Sequence, residues 1–317
     1  MRIIGQLVDT ATGAHLWAER FDGDLGDIFD LQDRVTESVV GAIAPAVEKA
    51  EIERAKRKPT ESLDAYALYL RGLTKYYQFA NRQANEKALR LFYSAIELDP
   101  DFASAYGRAA SCYATDKANG WFSGTAYEIS EVSRLAHRAV ELGEDDAMTL
   151  TDSGWVLVFV VCDLEMGAAL IDSALALNSN LALAWTCGGW AKLWLGEPDA
   201  AIERFERAMR LNPMGPTRAG GIRTGSAHAH FFLGRYAEAA SWAAIQDMPD
   251  AQPGLRISAA SNAMAGQAEQ AQKSVARLLQ LYPALRVSNL RSVLGPYRRP
   301  EDVLLYQGGL RRAGVPE

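Results

Sequence analysis

Two histidines on one predicted helix, His228 and His230, are the residues whose types and spacing come nearest to a metal site. Side chains two positions apart on a helix point to different faces, so this pair does not converge on one ion. The carboxylate run Glu144 to Asp146 could attract a cation, but it stands where one predicted helix ends and the next begins. Negative charge at that position is better explained by its favourable interaction with a helix amino terminus. We therefore predict no metal at either place.

Other signatures of chemistry are missing from the sequence. It contains no glycine-rich phosphate loop, no paired-cysteine metal pattern and no Gly-x-Ser-x-Gly elbow. Cys112, Cys162 and Cys187 are unclustered and lie in helical patterns, so we interpret them as small buried apolar residues in a reducing compartment. We expect no catalytic residue, no cofactor and no enzymatic activity.

The elements that would position any site follow a fixed spacing. Gly189, Ala201 and Pro213 are twelve residues apart, and the same spacing recurs at Ala259, Ala271 and Pro283. Small residues twelve apart suit the close contact of two helices in one pair, and a proline then stops the second helix. A helix pair cannot bury its apolar face alone, so this repetition predicts stacked pairs in a solenoid.

The best of these units resembles the tetratricopeptide repeat. It matches the family pattern at six anchor positions and departs from it where Lys192 replaces the usual aromatic residue; the matches are Trp185, Gly189, Ala201, Phe205, Ala208 and Pro213. Weaker units follow from the same offsets, with an insertion at 117–125 and an eroded fifth unit closed by Met248-Pro249. The predicted fold class is all-α, a TPR helical solenoid of five to six helix pairs, preceded by a small β-hairpin plus a long helix.

The first sixty residues do not follow the repeat. Residues 3–9 and 15–21 predict two strands, and Leu31 to Lys58 predicts one amphipathic helix, with Trp17 as a packing anchor for it. A lone hairpin is marginal in water, and its unpaired edges invite self-association. We expect three regions: 1–59 as the remnant of an α/β linking domain, 60–290 as the TPR solenoid and 291–317 as a C-terminal capping segment.

Both ends of the chain resemble bacterial class III adenylate/guanylate cyclases. The stretch 6–33, which contains His15-Leu16-Trp17-Ala18-Glu19-Arg20-Phe21-Asp22, resembles the end of the TolB amino-terminal-like domain that links catalytic and repeat regions in that family. The stretches 297–301 and 309–316 resemble its usual ending. The cyclase domain with its metal-binding aspartates is absent, so the resemblance implies a regulatory arm without its output domain. A winged-helix regulator with similar repeats is the other relative that this arrangement allows.

The first helices of the repeats predict a peptide-binding groove. In this fold their second, fifth, ninth and twelfth positions line the concave face, which gives a mostly aromatic, nearly uncharged set: Thr151, Trp155, Thr186, Trp190, Trp194, His228, Phe231 and Arg256. Aromatic side chains suit a protein or peptide partner with an apolar or aromatic segment better than an acidic tail. The alternative is that some of the tryptophans pack between neighbouring pairs or against a missing domain.

Composition limits the remaining classes of function. The chain has 317 residues, 49% of them hydrophobic, and a net charge of −6, which argues against a nucleic-acid partner. Its longest apolar run, Trp155 to Cys162, is far below the ~20 residues that span a bilayer. We expect a cytoplasmic protein with no membrane partner. Two functions stay open: a non-catalytic interaction module, or the regulatory arm of a nucleotide cyclase or transcription regulator.

Overall fold

The computed structural model describes residues 2–8, 15–22, 35, 39, 64–79, 81–211, 221–245 and 251–317. Strands β1 (Arg2–Val8) and β2 (His15–Asp22) form the predicted antiparallel hairpin. Phe21 is buried there and packs against Ile3, Val35 and Val39. The rest of the predicted helix Leu31 to Lys58, the side chain of Trp17, Pro213 and Met248-Pro249 lie outside the described residues.

Helices make up most of the rest of the described chain, and their bounds are as follows. They are α1 (Ala65–Tyr76), α2 (Arg82–Leu98), α3 (Ala103–Ala118), α4 (Ala126–Leu142), α5 (Ala147–Val156), α6 (Leu164–Leu177), α7 (Ala182–Trp194), α8 (Pro198–Leu211), α9 (Ile222–Phe232), α10 (Tyr236–Ala244), α11 (Gln252–Met264), α12 (Ala268–Leu281) and α13 (Pro300–Ala313). A π-helical turn (Leu157–Val161) extends α5, and a 3₁₀ turn (Val287–Ser292) precedes α13.

These helices form six antiparallel pairs, from α1 with α2 to α11 with α12, in agreement with the predicted five to six. The first helices α3, α5, α7, α9 and α11 are successive neighbours, and α13 packs beside α11 as if it opened a seventh pair. We call the side of the molecule that these first helices form the inner face. Because each pair packs chiefly on the next, the chain is a solenoid.

Polar side chains start several of the helices. Asp64 and Asn81 cap α1 and α2 by accepting hydrogen bonds from backbone N–H groups, and Thr125 with Glu128 forms a capping box on α4. Asp146 accepts from Met148 N at 3.0 Å and from Thr149 Oγ1 at 2.6 Å at the start of α5. The acidic run at 144–146 therefore contributes a helix cap, in agreement with its predicted role.

The small residues make room for large ones on the partner helix. A methyl group added to Gly189 of α7 would stand 2.5 Å from the ring of Phe205 in α8, and Gly72 meets Phe92 in the same way. The predicted neighbour of Gly189 was Ala201, whereas the group that lies directly against it is the aromatic ring one turn further along. The twelve-residue spacing thus identified the place where the two helices approach closely, and the ring of Phe205 occupies the space that Gly189 leaves there.

A left-handed residue lies two positions before the second helix in five of the pairs, the first of them at Gly124 with φ +68°. Gly196, Gly234 and Gly266 have φ between +74° and +83°, a conformation that glycine adopts without a steric cost. In the third pair this place is taken by Cys162, with φ +67°. Cys162 is exposed, so its predicted burial is wrong; Cys112 and Cys187 are buried.

The predicted insertion at 117–125 begins slightly later than expected, because α3 runs to Ala118. Lys117 is buried, and its amine donates a 2.6 Å hydrogen bond to the carbonyl of Phe159 in the π-helical turn. Burial lowers the pKa of this amine. None of the helices in the described part of the chain combines the length and apolar character that a bilayer crossing requires.

Candidate functional site

All eight residues of the predicted groove lie on first helices of the pairs. Their positions are Thr151 and Trp155 on α5, Thr186, Trp190 and Trp194 on α7, His228 and Phe231 on α9, and Arg256 on α11. Seven of them are buried, and only Trp155 is partly exposed. The inner face at this point is therefore covered by other parts of the described chain.

The aromatic members form one continuous row of ring contacts. Trp155 stacks on Phe159 and on Trp194 at centroid distances of 5.1 and 5.5 Å, and Trp194 contacts Trp190 at 5.3 Å. The row continues from Trp190 to His228 at 5.4 Å. Offset and tilted ring contacts of this kind stabilise beyond the area they bury. We call these five residues the aromatic row.

Tyr306 of α13 joins the far end of the aromatic row. Its ring lies 5.2 Å from His228 and 5.8 Å from Phe231. Burial raises the pKa of Tyr306 to about 12. Phe231 is fully buried, and Tyr306 of the C-terminal helix connects it to the aromatic row.

The two threonines of the predicted set stand apart from the aromatic row. Thr151 donates its hydroxyl proton to Ala147 O at 2.7 Å, and Thr186 donates to Ala182 O at 2.9 Å. Both hydrogen bonds stay within the threonine's own helix, and both side chains are buried. Their hydroxyls are consequently satisfied by the backbone and do not present a free donor to a ligand.

A segment of turns and irregular structure from the C-terminal region lies against the aromatic row at Trp194. Residues 293–299, which we call the strap, join the 3₁₀ turn to α13. The N–H of Arg298 donates to Trp194 O at 2.8 Å, and Gly295 lies so close to the indole of Trp194 that an added methyl group would overlap the ring. Tyr297 packs its ring 5.3 Å from that of Phe232. The strap therefore covers the predicted groove at Trp194 and at Arg256, and α13 covers it at His228 and Phe231.

The strap also reaches the second and third units of the solenoid and a further point in the fourth. The guanidinium of Arg298 pairs with Glu165 at the start of α6. The side chain of Arg299 lies against Gly196, and Val293 contacts the position of Gly120 in the loop after α3. Sequence reasoning missed these contacts, because the strap carries no periodic pattern and its partners lie far away in the sequence.

Arg256 and His228 set the electrostatics under the strap. Arg256 donates to Gln252 Oε1 at 2.9 Å and to the carbonyl of Val293 at 3.3 Å, so it holds the start of the strap. Burial lowers the pKa of His228 to about 3, and its Nδ1 lies 2.8 Å from Thr224 O. His228 is therefore neutral at physiological pH, and Arg256 is the charged member of the predicted set.

His228 and His230 do not come together as a metal site. His228 contacts Trp190, while His230 stacks on Trp242 at 6.4 Å, so the two rings diverge as predicted. In the described ranges, no three His, Cys, Asp or Glu side chains come together in a way that would hold a metal ion.

A buried charge pair lies further along the inner face and was not singled out from the sequence. Arg108 of α3 and Asp152 of α5 are both almost fully buried, with Nη1 and Oδ1 3.2 Å apart. The guanidinium also lies over the ring of Tyr76, 5.7 Å from its centroid. The pair joins the first helices of the second and third units, and a spacing of some forty residues between opposite charges gives no recognisable signal in sequence.

No family model matches the chain. Over 141 residues the chain is 34% identical to a protein of Rhizobium meliloti (strain 1021) named Putative adenylate cyclase 3. The alignment covers 44% of this chain and 24% of that protein, so the chain spans about a quarter of the length of the curated relative it matches. This similarity agrees with the resemblance to cyclases predicted from the two ends of the sequence.

Solved structures share the architecture at low identity. The APC/C hetero-tetramer Cut9–Hcn1 matches with a TM-score of 0.58 and 15% identity, over 92% of this chain and 49% of that chain. PilW, a type IV pilus biogenesis factor, matches with a TM-score of 0.50 and 16% identity, over 70% of this chain and 94% of that chain. The fold is a tetratricopeptide-repeat solenoid. TTC0263, a TPR protein of Thermus thermophilus, is also similar, with a TM-score of 0.46 and 17% identity over 68% and 99% of the two chains. Likeness at these identities establishes the TPR fold alone.

Proposed function

We propose that the chain is a non-catalytic protein-interaction module whose inner face holds an extended protein segment with apolar and aromatic side chains. The observation that carries this proposal is the aromatic row with a non-helical segment, the strap, lying against it at Trp194. A row of stacked rings offers a large apolar contact area at little cost in side-chain entropy. Main-chain groups of a bound segment find an acceptor in Trp194 O, as the strap does now.

Affinity capture from the source cell tests this function. The wild-type chain is compared with Trp155→Ala, which removes the partly exposed ring of the aromatic row, and with Tyr127→Ala as a matched control. Tyr127 is an aromatic residue of α4 that is 79% exposed and belongs to no part of the aromatic row. Circular dichroism first establishes that all three proteins have the same helix content.

The expected result is a protein that wild type and Tyr127→Ala retain and that Trp155→Ala loses. Equal retention by all three would place the interaction on another surface. If no protein is retained specifically by wild type, the interaction function itself is wrong.

A second function is favoured by the similarity to Putative adenylate cyclase 3. In this alternative the chain is the regulatory arm of a nucleotide cyclase and acts on an output domain that this sequence does not contain. Co-expression with a class III cyclase catalytic domain from the same cell tests it. A change in cyclic AMP production on adding the wild-type chain supports regulation, and unchanged production counts against it.

A further inference from the structure

The strap is a short irregular stretch between two elements that are anchored independently of it. In the 3₁₀ turn before it, Val287 and Leu290 are buried, and Val287 N donates to Pro316 O at 2.8 Å. In α13 after it, Tyr306 and Leu310 are fully buried. Leu294, near the start of the strap, is also buried and stays with the 3₁₀ turn, so residues 295–299 are the part that can leave the inner face while both ends stay packed.

The surface under the strap accepts three features in a fixed order. The indole of Trp194 leaves no room for a side chain at Gly295. Two residues on, the ring of Tyr297 is packed against Phe232, and its burial raises the pKa of the phenol. The next residue, Arg298, faces the carboxylate of Glu165.

The backbone acceptor at this place exists whether or not the strap fills it. Trp194 is the last residue of α7, and carbonyls in the last turn of a helix lack partners within the helix. An N–H group from outside satisfies such a carbonyl, and Arg298 N now does so. Polar bonds from the strap to the inner face include this one, one from Arg256 to Val293 O and an ion pair with a largely exposed carboxylate, and Tyr297 adds apolar contacts. Exposed ion pairs and single hydrogen bonds each contribute only modestly to stability.

Resting on the proposed function, we infer that the strap is an internal copy of the ligand. The partner carries a segment with a glycine, an aromatic residue two positions later and an arginine directly after it. This segment binds over Trp194, Phe232 and Glu165 and displaces the strap. The strap thereby sets the threshold for binding, because the apparent affinity falls with the fraction of molecules whose inner face is open.

A fluorescent peptide with the sequence of residues 292–300, Ser-Val-Leu-Gly-Pro-Tyr-Arg-Arg-Pro, tests the inference by anisotropy. It is titrated into wild type and into a strap variant, Gly295→Val/Tyr297→Ala, which changes no residue on the receiving surface. Arg291→Ala, an exposed position just before the strap, is the matched control. The strap variant is expected to bind the peptide about tenfold or more tightly than wild type and the control do.

Two further controls establish where and how the peptide binds. A peptide in which the glycine is valine and the tyrosine is alanine is expected to lose binding to the strap variant. Adding Glu165→Gln to the strap variant is expected to weaken binding several-fold and to reduce its dependence on salt. Equal binding of the peptide to wild type and strap variant, or equal binding of both peptides, would overturn the inference.

Hydrogen exchange on the wild-type protein supplies a test that needs no variant. If the strap opens while its ends stay packed, the amide of Arg298 exchanges faster than amides in the middle of α13, such as that of Leu310. Equal protection of the two amides would mean that the strap opens only when α13 unfolds, and the inference would fail. If the strap variant does not bind the peptide while the wild-type chain still captures a cellular protein specifically, this ligand is rejected and the proposed interaction function is still supported.

Discussion

His228 is an uncharged histidine in the middle of the aromatic row. Its pKa is lowered to about 3 because burial penalises the charged ring, and Arg256 nearby acts in the same direction. An unfolded histidine has a pKa of about 6.5. Between these two values the unfolded chain binds more protons than the folded one, so the free energy of unfolding decreases as the pH falls.

The replacement His228→Phe keeps a ring in the row and removes the titration. From pH 7 to pH 5.5 we expect wild type to lose about 1 kcal/mol more of its unfolding free energy than the variant does. Urea unfolding followed by circular dichroism at both pH values measures the difference. The difference between the two pH values decides the prediction, and the absolute stability of the variant does not. If both proteins lose the same unfolding free energy, His228 binds a proton as readily in the folded chain as in the unfolded chain.

Arg108 and Asp152 make the other residue-scale prediction. Removing one member of a buried ion pair leaves the other charge without compensation, which typically costs about 3–5 kcal/mol. We expect a loss of this size for Asp152→Leu and a much smaller one for Arg108→Met/Asp152→Leu, in which no charge is left buried. Chemical denaturation of Arg108→Met, Asp152→Leu and the double variant gives the coupling energy between the two side chains.

The surface pair Arg82 and Glu86 is the control for this cycle. Both side chains are about half exposed, so Glu86→Ala should cost no more than about 0.5 kcal/mol. If Asp152→Leu costs no more than Glu86→Ala does, the buried pair does not stabilise the fold as described.

Tight contacts within the helix pairs give the first prediction at the scale of elements. Gly189→Ala places a methyl group 2.5 Å from the Phe205 ring, and overpacking of this kind costs about 1–3 kcal/mol. Gly308→Ala in α13 meets nothing within 4 Å, so its higher helix propensity should stabilise by up to about 1 kcal/mol. Thermal unfolding of both variants against wild type checks the opposite signs, and a shift of equal sign would count against the role of Gly189.

The left-handed turns give a second prediction at this scale. Cys162 occupies the place that glycine takes in the next three pairs, and a side chain in this conformation costs about 1 kcal/mol or more. Cys162→Gly should therefore raise the melting temperature although it deletes a side chain. Gly266→Ala, at the equivalent place with no atom within 4 Å of the added methyl group, should lower it through backbone strain alone. A loss of stability in Cys162→Gly would mean that contacts of the thiol outweigh the strain.

The pairs were predictable because their determinants are local and repeated. Gly189 with Ala201 and Ala259 with Ala271 mark the close helix contacts, and each mark recurs at the same spacing. The π-helical turn was not predictable, because Leu157 to Val161 is uniformly apolar and fits a regular helix equally well. Four of the five residues of the aromatic row, all except Phe159, belong to the set predicted from the sequence. The strap that lies on Trp194 was not predictable, because its contacts join units far apart in the sequence.

At the scale of the whole molecule, the strap departs from the contact pattern of a simple solenoid. Repeat arrays are stabilised mainly by neighbouring units. Here Arg298 joins the C-terminal segment to Trp194 in the fourth unit and to Glu165 in the third, and Val293 reaches the loop after α3. These long-range contacts couple the last units to the middle of the array. A substitution in the strap should therefore change the stability of units well away from the end of the chain.

The N-terminal hairpin, unlike the strap, packs into a small apolar cluster that is separate from the core of the solenoid. Phe21 packs against Ile3, Val35 and Val39, in a cluster separate from the apolar clusters of the solenoid, and Ile4 is 62% exposed. Within the described residues, β1 and β2 pair only with each other. Strands with unpaired edges promote association between copies.

A chain that begins at Thr60 should therefore have the same melting temperature as the full chain to within a few degrees. It should also be at least as soluble as the full chain. Calorimetry and light scattering on both chains measure this, and strap contacts such as Arg298 with Trp194, which both chains share, should show equal amide protection. An aggregating short chain beside a monomeric full chain would mean that residues 1–59 cover part of the solenoid.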